Sequence, residues 1–479
     1  MNLVLVLPPA RPGEKRKFTA PPLGLLYLGS HAKKFGHQVT IIDSDVEGYT
    51  LDKLVEKILE KKPDIVGFTS MTPFAAEVLN LSKKIKYTTS QVKIVVGGIH
   101  VTATHEEMMT ISPNIDFLVV SEGEYTLVEL LDSLANNKPL NQIKGLIYRD
   151  PTNNQIIKNE PREPVPDLDA LPIPDFDLIE NFDIRNYDLV HAGGKRVVYI
   201  LGSRGCPYLC TFCAAHLVHG QKVRYRDPIK IVDEIEHNLN KYKINYVGFK
   251  DGTFTVNHDW VKKICAEIKK RKLNIGFCIN ARVDTINEEI LQVLKDAGCK
   301  TMGFGIESGS QRILDSMCKG TKIDQIKSVM KLVNKYKFFT IASFMIGNPG
   351  DTKDDIKATL ELAKEIKTTG VGFCPLTAFP GTKIYYDAIK DGTLKNGAQW
   401  YYKKNPEHPD EYLETGLYDG VLTFSNFTTE EELKKTYNKF YLRPSYAFSI
   451  FKRIIKDPYF FKYALGYAWG LLRKTFDNT

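Results

Sequence analysis

Strand-length apolar runs separated by helix-length segments recur along the 479 residues of this chain in two series. The first series has runs at residues 3–7, 39–42, 65–68, 94–96 and 117–120. The second has them at 197–201, 246–249, 275–279, 301–305, 340–346 and 371–379. Runs rich in Val and Ile, with helices between them, imply parallel sheets covered on both faces. Between the two series Pro161, Pro164, Pro166, Pro172 and Pro174 fall among acidic and polar residues, the pattern of an extended connector. The alternation stops near residue 385. The expected organisation is an α/β unit over 1–142, a connector over 143–190, a second α/β unit over 191–384 and a small, mainly helical unit over 385–479.

Five strands with intervening helices predict a flavodoxin-like, doubly wound parallel sheet for the first unit. Six strand–helix repeats predict a partial (β/α)6 barrel of the TIM type for the second. Both architectures place their sites at the carboxyl ends of the strands. In the first unit those ends carry Ser70, Thr72, Gly97, Gly98, His100, Glu122 and Gly123. A net charge of +8 is modest for this length and gives no argument for nucleic acid. No uninterrupted apolar stretch reaches the roughly 18 residues of a spanning helix. The apolar run at the N-terminus is too short for a secretory signal and is followed by Arg11, so the expected location is the cytoplasm.

Eight cysteines occur, and three crowd into Cys206-Pro-Tyr-Leu-Cys210-Thr-Phe-Cys213, just after the first strand of the second unit. That crowding fits metal chemistry in a reducing compartment better than a disulfide framework. Cys265, Cys278, Cys299, Cys318 and Cys374 have no such spacing and are expected to be small buried side chains. Thiolates suit zinc or iron–sulfur clusters. With His216 or His219 as a fourth ligand the loop could close around zinc. Three thiolates on a cubane cluster instead leave one iron open for a substrate.

The stretch Gly202-Ser-Arg-Gly-Cys-Pro-Tyr-Leu-Cys-Thr-Phe-Cys213 resembles the cluster loop of the radical S-adenosylmethionine superfamily, with Phe212 as the aromatic before the last cysteine. The resemblance continues in order through Phe249-Lys-Asp251-Gly-Thr-Phe254, Asn280-Ala-Arg282-Val-Asp284, Gly305-Ile-Glu307-Ser-Gly309, Gly347-Asn-Pro-Gly350 and Phe379-Pro-Gly-Thr382. It implies a 4Fe–4S cluster held by the catalytic cysteines Cys206, Cys210 and Cys213, with S-adenosylmethionine on the open iron and a 5′-deoxyadenosyl radical as the product of its cleavage. It also implies cofactor contacts from Asp251, Asn280, Arg282 and Glu307. Gly252 stands where many relatives carry a second acid, which leaves amino-group recognition to Asp251.

Joined to such a barrel, the first unit resembles the cobalamin-binding domain of the cobalamin-dependent members of that superfamily. The resemblance rests on Pro21-Pro-Leu-Gly24, Gly36-His-Gln-Val39 leading to Asp43, Thr69 to Thr72, Gly97-Gly-Ile-His100 and Glu122-Gly-Glu124. It implies cobalamin at Ser70, Thr72, Gly97, Gly98, His100, Glu122 and Gly123. Asp43-Ser-Asp45-Val-Glu-Gly48 has the spacing of the motif that supplies an axial histidine elsewhere, but Asp45 stands at the histidine position. The expected cobalt therefore has no protein histidine. The activity implied is methyl transfer from methylcobalamin to an unactivated carbon. Domain order also resembles the anaerobic magnesium-protoporphyrin ester oxidative cyclase and hopanoid or lipid methylases. An oxidative cyclase, or another carbon–carbon bond-forming radical enzyme, is thus the alternative within the class. A non-catalytic cobalamin carrier or sensor with a structural metal site is the alternative outside it. The implied partners are a small-molecule or lipid-like substrate and an electron donor such as flavodoxin or ferredoxin.

Residues 443–479 hold seven Lys or Arg and two Asp, a surplus of +5, with aromatics interleaved from Tyr446 to Trp469. Such a tail either docks peripherally on the inner face of an anionic membrane or packs its rings on the barrel. Packing is the favoured expectation.

Overall fold

The computed structural model describes residues 1–16, 19–150, 152–189, 196–408, 411–413, 419–422, 429–444, 446 and 448. The first sheet contains β1 (Asn2–Leu7), β2 (Gln38–Asp43), β3 (Ile65–Thr69), β4 (Lys93–Gly97), β5 (Phe117–Val119), β6 (Leu146–Arg149) and β7 (Ile156–Lys158) in the order β2-β1-β3-β4-β5-β6-β7. Its first five strands are parallel and carry the doubly wound order 2-1-3-4-5. The last two are antiparallel and extend the sheet to residue 158. The expected boundary at 142 is therefore too early. Three- and four-residue strands joined by a tight turn at Asp150 carry too little periodicity to be read as strands.

The second sheet is formed by β8 (Val197–Ile200), β11 (Tyr246–Phe249), β12 (Gly276–Ala281), β13 (Cys299–Glu307), β14 (Phe339–Ile346) and β15 (Gly370–Pro375), all parallel and in sequential order. A two-stranded ribbon of β9 (Ser203–Arg204) and β10 (Arg224–Tyr225) stands at the mouth of this open barrel. Helices between the strands start where short polar side chains accept hydrogen bonds from their first turns. Asp227, Asn257, Asn287 and Thr382 do so for Pro228–Tyr242, His258–Lys270, Glu288–Asp296 and Lys383–Lys390, and Thr352 with Asp355 forms a capping box for Lys353–Glu365. Each helix buries residues three or four apart: Ile326, Met330 and Val333 do this on Ile323–Lys335.

An open barrel leaves two edges. The β15 edge is covered by the helix Thr429–Tyr441, which also packs on Lys353–Glu365. The Tyr437 hydroxyl accepts from the Phe373 N–H at 3.3 Å, and the Tyr441 hydroxyl accepts from the Val371 N–H at 3.3 Å and donates to the Val371 carbonyl. Backbone groups that would template another strand are thereby paired. Tyr446 follows the same course, donating to the Thr369 carbonyl at 3.3 Å. The rest of the basic tail, 449–479, lies outside the described residues. Among the described residues no helix is long and apolar enough to cross a membrane.

The connector is not a free spacer. Three short turns begin at Asp167, Asp175 and Asp183, and each aspartate accepts from the backbone N–H two residues on. Between them Leu168, Leu171, Phe176, Leu178 and Ile179 are buried. Asp175 binds Lys33 at 2.7 Å and the Tyr242 hydroxyl at 3.1 Å, so one carboxylate joins helices of both units. Beyond the barrel, residues 391–422 are irregular where described and reach back to the first sheet. Asn80 exchanges two hydrogen bonds with the Tyr412 backbone, at 2.8 and 3.0 Å, and the Tyr401 hydroxyl donates to Glu107 at 2.8 Å.

Candidate active site

Chain leaving β8 at the barrel mouth enters the β9–β10 ribbon and turns at Gly205 into Cys206. Gly205 has φ +101°, and a Cβ there would lie 2.3 Å from the Lys222 carbonyl oxygen, so no side chain fits. Beneath the turn Asp251 accepts from the Ser203 hydroxyl at 2.5 Å and the Gly202 N–H at 3.3 Å. Burial pushes its carboxyl up to about 6. Asp251 thus braces the base of the cysteine loop and is absent from the lining of the cavity above it.

Cys206, Cys210 and Cys213 are half-buried and border a cavity of about 350 Å³. Tyr208, Asn280, Arg282, Glu307 and Lys319 line it with them. Burial raises the Cys210 and Cys213 thiols, with Lys319 pulling the other way. Arg282 stacks 3.6 Å from the Tyr208 ring, grips Asp284 at 3.0 and 2.9 Å and donates to the Lys319 carbonyl at 2.5 Å. Its remaining nitrogen lies 3.8 Å from the Cys210 sulfur, so the guanidinium braces the loop. Glu307 has φ +72°, a strained conformation for a side-chain-bearing residue, and pairs with Lys319 at 2.8 Å. Lys319 was not singled out from the sequence. Nothing in its spacing marks it, because it reaches the cavity only through the turn after helix Gln311–Ser316.

Space in this cavity depends on glycine. A Cβ on Gly305 would meet the Glu307 carboxylate at 2.3 Å, and one on Gly303 would meet the Asn280 amide oxygen at 2.8 Å. Among the described residues no three His, Cys, Asp or Glu side chains are placed to hold a single metal ion. His219, one candidate fourth zinc ligand, is hydrogen-bonded to Glu122 at 2.8 Å. Three soft thiolates around a cavity with room above them fit a polynuclear cluster. Of the other cysteines Cys265, Cys278 and Cys299 are buried as expected, whereas Cys318 and Cys374 are exposed. Cys318 sits in a left-handed turn, and Cys374 lies on β15, so an apolar local sequence did not ensure a covered side chain.

A second cavity, about 650 Å³ and mainly apolar, lies between the carboxyl edge of the first sheet and the barrel mouth. Gly97, Gly98, Glu122 and Gly123 line it, as do Leu5, Leu7 and Pro21 to Leu25. Ser70, Thr72 and His100 do not. Ser70 is fully buried behind the edge and its hydroxyl has no partner among the described residues, an orphan that a ligand reaching past Gly98 would satisfy. Gly98 has φ +104°, and its Cβ would lie 2.6 Å from the Ser70 carbonyl. His100 faces neither cavity nor solvent. Its ring nitrogens meet the Thr72 hydroxyl at 3.2 Å and the Tyr402 hydroxyl at 2.9 Å, and burial pulls it down to about 3, so it stays neutral. The expectation of a cofactor-touching His100 is corrected: residues three hundred positions away cover it.

Glu122 and Glu124 are likewise part of a latch. Glu122 takes a fork from Arg224 at 2.9 and 2.7 Å, a bond from His219 and the Val165 N–H at 2.7 Å. Glu124 takes Arg204 at 2.6 Å. Burial pushes Glu122 up, yet Arg224 and His219 outweigh it and hold the carboxyl below the usual range. Two acids of the first unit therefore lock onto the ribbon that carries the cysteines. Asp45, at the place of an axial histidine, accepts from the Ala10 N–H at 2.8 Å and Arg16 at 3.1 Å.

Residues 200–363 match the model of the radical SAM superfamily, and residues 13–131 that of the B12 binding domain. A Pyrococcus horikoshii protein named as an uncharacterized methyltransferase is 35% identical over 463 residues, covering 95% of this chain and 94% of that one. The anaerobic magnesium-protoporphyrin IX monomethyl ester cyclase of Rubrivivax gelatinosus is 28% identical over 376 residues, covering 77% and 66%. Among solved structures, the radical S-adenosylmethionine methyltransferase TsrM from Kitasatospora setae, with cobalamin and a 4Fe–4S cluster bound, has a TM-score of 0.70 at 18% identity over 93% of this chain and 90% of that one. The cobalamin-dependent radical enzyme OxsB also scores 0.70 at 18% identity, covering 91% and 65%. Those two share this chain's fold. The chain belongs to the cobalamin-binding radical S-adenosylmethionine enzymes, whose cofactors are a 4Fe–4S cluster, S-adenosylmethionine and cobalamin.

Proposed function

We propose that this enzyme is a methyltransferase acting on an unactivated carbon of a small molecule. The observation that carries the reading is that Tyr199 and Lys250 line both cavities, so a molecule held between them reaches each. When bound, the cluster supplies the electron that cleaves S-adenosylmethionine to a 5′-deoxyadenosyl radical, and cobalamin supplies the methyl group. Cys206, Cys210 and Cys213 hold the cluster in this reading. Arg282 and Asp251 fix their loop from the side and from below. Asn280 and the Glu307–Lys319 pair present polar groups to S-adenosylmethionine across the gap kept open by Gly303 and Gly305. Gly97, Gly98 and Gly123 let cobalamin approach the sheet edge, and Ser70 offers it a hydroxyl. Methyltransferase names among relatives, including the one 35% identical, support the reading.

The test is anaerobic turnover of the reconstituted enzyme with S-adenosylmethionine labelled in its methyl group, a reductant and a cell extract as substrate source. Formation of 5′-deoxyadenosine together with label in a carbon-methylated product is the expected outcome. Steady 5′-deoxyadenosine with no transferred label would refute methyl transfer and favour a cyclase-type reaction, for which the Rubrivivax gelatinosus relative is the precedent.

A further inference from the structure

The charged side chains lining the two cavities come in satisfied pairs, with one exception. Arg282 has Asp284, Lys319 has Glu307, Arg204 has Glu124, and His219 has Glu122. Lys250 lines both cavities and has no carboxylate within salt-bridge distance among the described residues. Its backbone is fixed, since the Lys250 N–H donates to the Ile200 carbonyl at 2.9 Å at the last step of the β8–β11 pairing. The ammonium lies 4.1 Å from the centre of the Tyr199 ring. That ring is itself seated by Gly248, where a Cβ would be 2.6 Å from its edge carbons. Gly248, Tyr199 and Lys250 thus form a built stack at the one place common to both cavities.

A cation over an aromatic face keeps part of its stabilisation when water is removed, but a ring does not replace a counter-ion. Lys250 is an exposed residue that opens on the cavities, and partial loss of water to the protein beside it pulls the amine below the ordinary lysine range. An anionic oxygen group is the chemistry that completes such a site. Leu189, Phe249 and Ile341 line the first cavity and Leu201 the second, so an apolar body suits the rest of the ligand.

We infer that Lys250, seated on Tyr199, anchors the substrate through a carboxylate or phosphate attached to an apolar body. The inference rests on the reading of the junction as the substrate site, and it adds the class of molecule held there. The lysine is a specificity-determining residue that sets which end of the substrate faces each cofactor.

Calorimetric titration of the holoenzyme, loaded with cluster and cobalamin under anaerobic conditions, tests this with defined probes. These are 4-phenylbutyrate, phenyl phosphate and the neutral 4-phenylbutyramide. Wild type is expected to bind at least one anion about tenfold more tightly than the amide, the scale of a hydrogen bond to a charged group. The better anion names the group. Lys250→Met should abolish the preference and Lys250→Arg should keep it, with iron content, cobalamin content and S-adenosylmethionine affinity unchanged in both. Equal binding of anions and amide by wild type would overturn the inference, as would a preference that survives in Lys250→Met. Loss of cobalamin or S-adenosylmethionine binding in a folded Lys250→Met protein would also overturn it, because the lysine would then be a cofactor contact. If Lys250→Met does not fold, Lys250→Gln carries the same test. An intact anion preference without methyl transfer would sink only the methyltransferase reading. Equal binding of anions and amide by wild type, with intact methyl transfer, would sink only the anchor.

Discussion

At the level of single residues, the sequence speaks most clearly where chemistry restricts side-chain type. Three crowded cysteines pointed to metal chemistry, and the resemblance of their loop to the radical S-adenosylmethionine superfamily implied a cluster. Replacing any one of Cys206, Cys210 or Cys213 by Ala should remove most of the iron and all formation of 5′-deoxyadenosine, as measured by iron analysis and chromatography. Cys265→Ala should keep both and lose only packing, about 1–3 kcal/mol in denaturant unfolding. Buried acids give a different handle. Burial, with Asp45 nearby, raises the Asp43 carboxyl from 3.8 to about 7 against the bond from Tyr187. The folded chain therefore holds that proton more tightly than the unfolded chain. Stability from this group is fully present at low pH and is lost as pH rises between those two values. Asp43→Asn should gain stability relative to wild type on going from about pH 5 to about pH 8, read from urea midpoints. A constant difference between the two proteins across that range would show that Asp43 does not titrate there.

Among elements, regular pieces were legible and contacts between them were not. The strands of both sheets lie where Val and Ile cluster, because a buried parallel strand admits little else. The β6–β7 extension was missed, since strands this short differ little from a loop with two apolar residues. Polar groups at the strand ends were found by type, but their protein partners were not. Glu122 lines the second cavity, and its partners Arg224, on the ribbon, and His219, at the end of helix Ala215–His219, arrive from about a hundred residues on. A carboxylate that accepts four hydrogen bonds from three residues is a structural clasp whatever else it borders. Glu122→Gln should leave Arg224 facing a neutral amide in a buried site, at a cost of about 3–5 kcal/mol. The clasp joins the first unit to the cysteine ribbon, so the loss should also speed proteolytic cutting in the connector at 159–189. Unchanged melting and unchanged cutting would show that the latch carries no stability.

For the whole molecule, the decisive geometry is the meeting of two units that the sequence presents as separate. Domains joined by a proline-rich connector move independently by default. Here one continuous apolar cluster runs from Leu3 of the first sheet and Leu131 of the helix Glu124–Ala135 through Phe176 and Leu178 of the connector to Val198 of the barrel and Phe440 of the covering helix. A second cluster joins Val101 and Met108 to Leu376, Trp400 and Tyr402. No local pattern announces these clusters, because they depend on which faces two separately folded layers present to each other. They also explain why the cofactor cavities can share a wall: the units are fixed by burial and by the Glu122 latch, not by chain connectivity. Trp400 is the largest side chain in the second cluster, 2% exposed and packed on Gly420. Trp400→Ala should cost about 3–5 kcal/mol. If the molecule is one cooperative body, that loss must appear everywhere at once. Hydrogen-exchange protection should fall together in peptides covering β1 and β4 of the first sheet and β12 and β13 of the barrel. Protection lost only in peptides from residues 391–422 would mean that the two units are stabilised separately, and that the shared wall is maintained by bound cofactors.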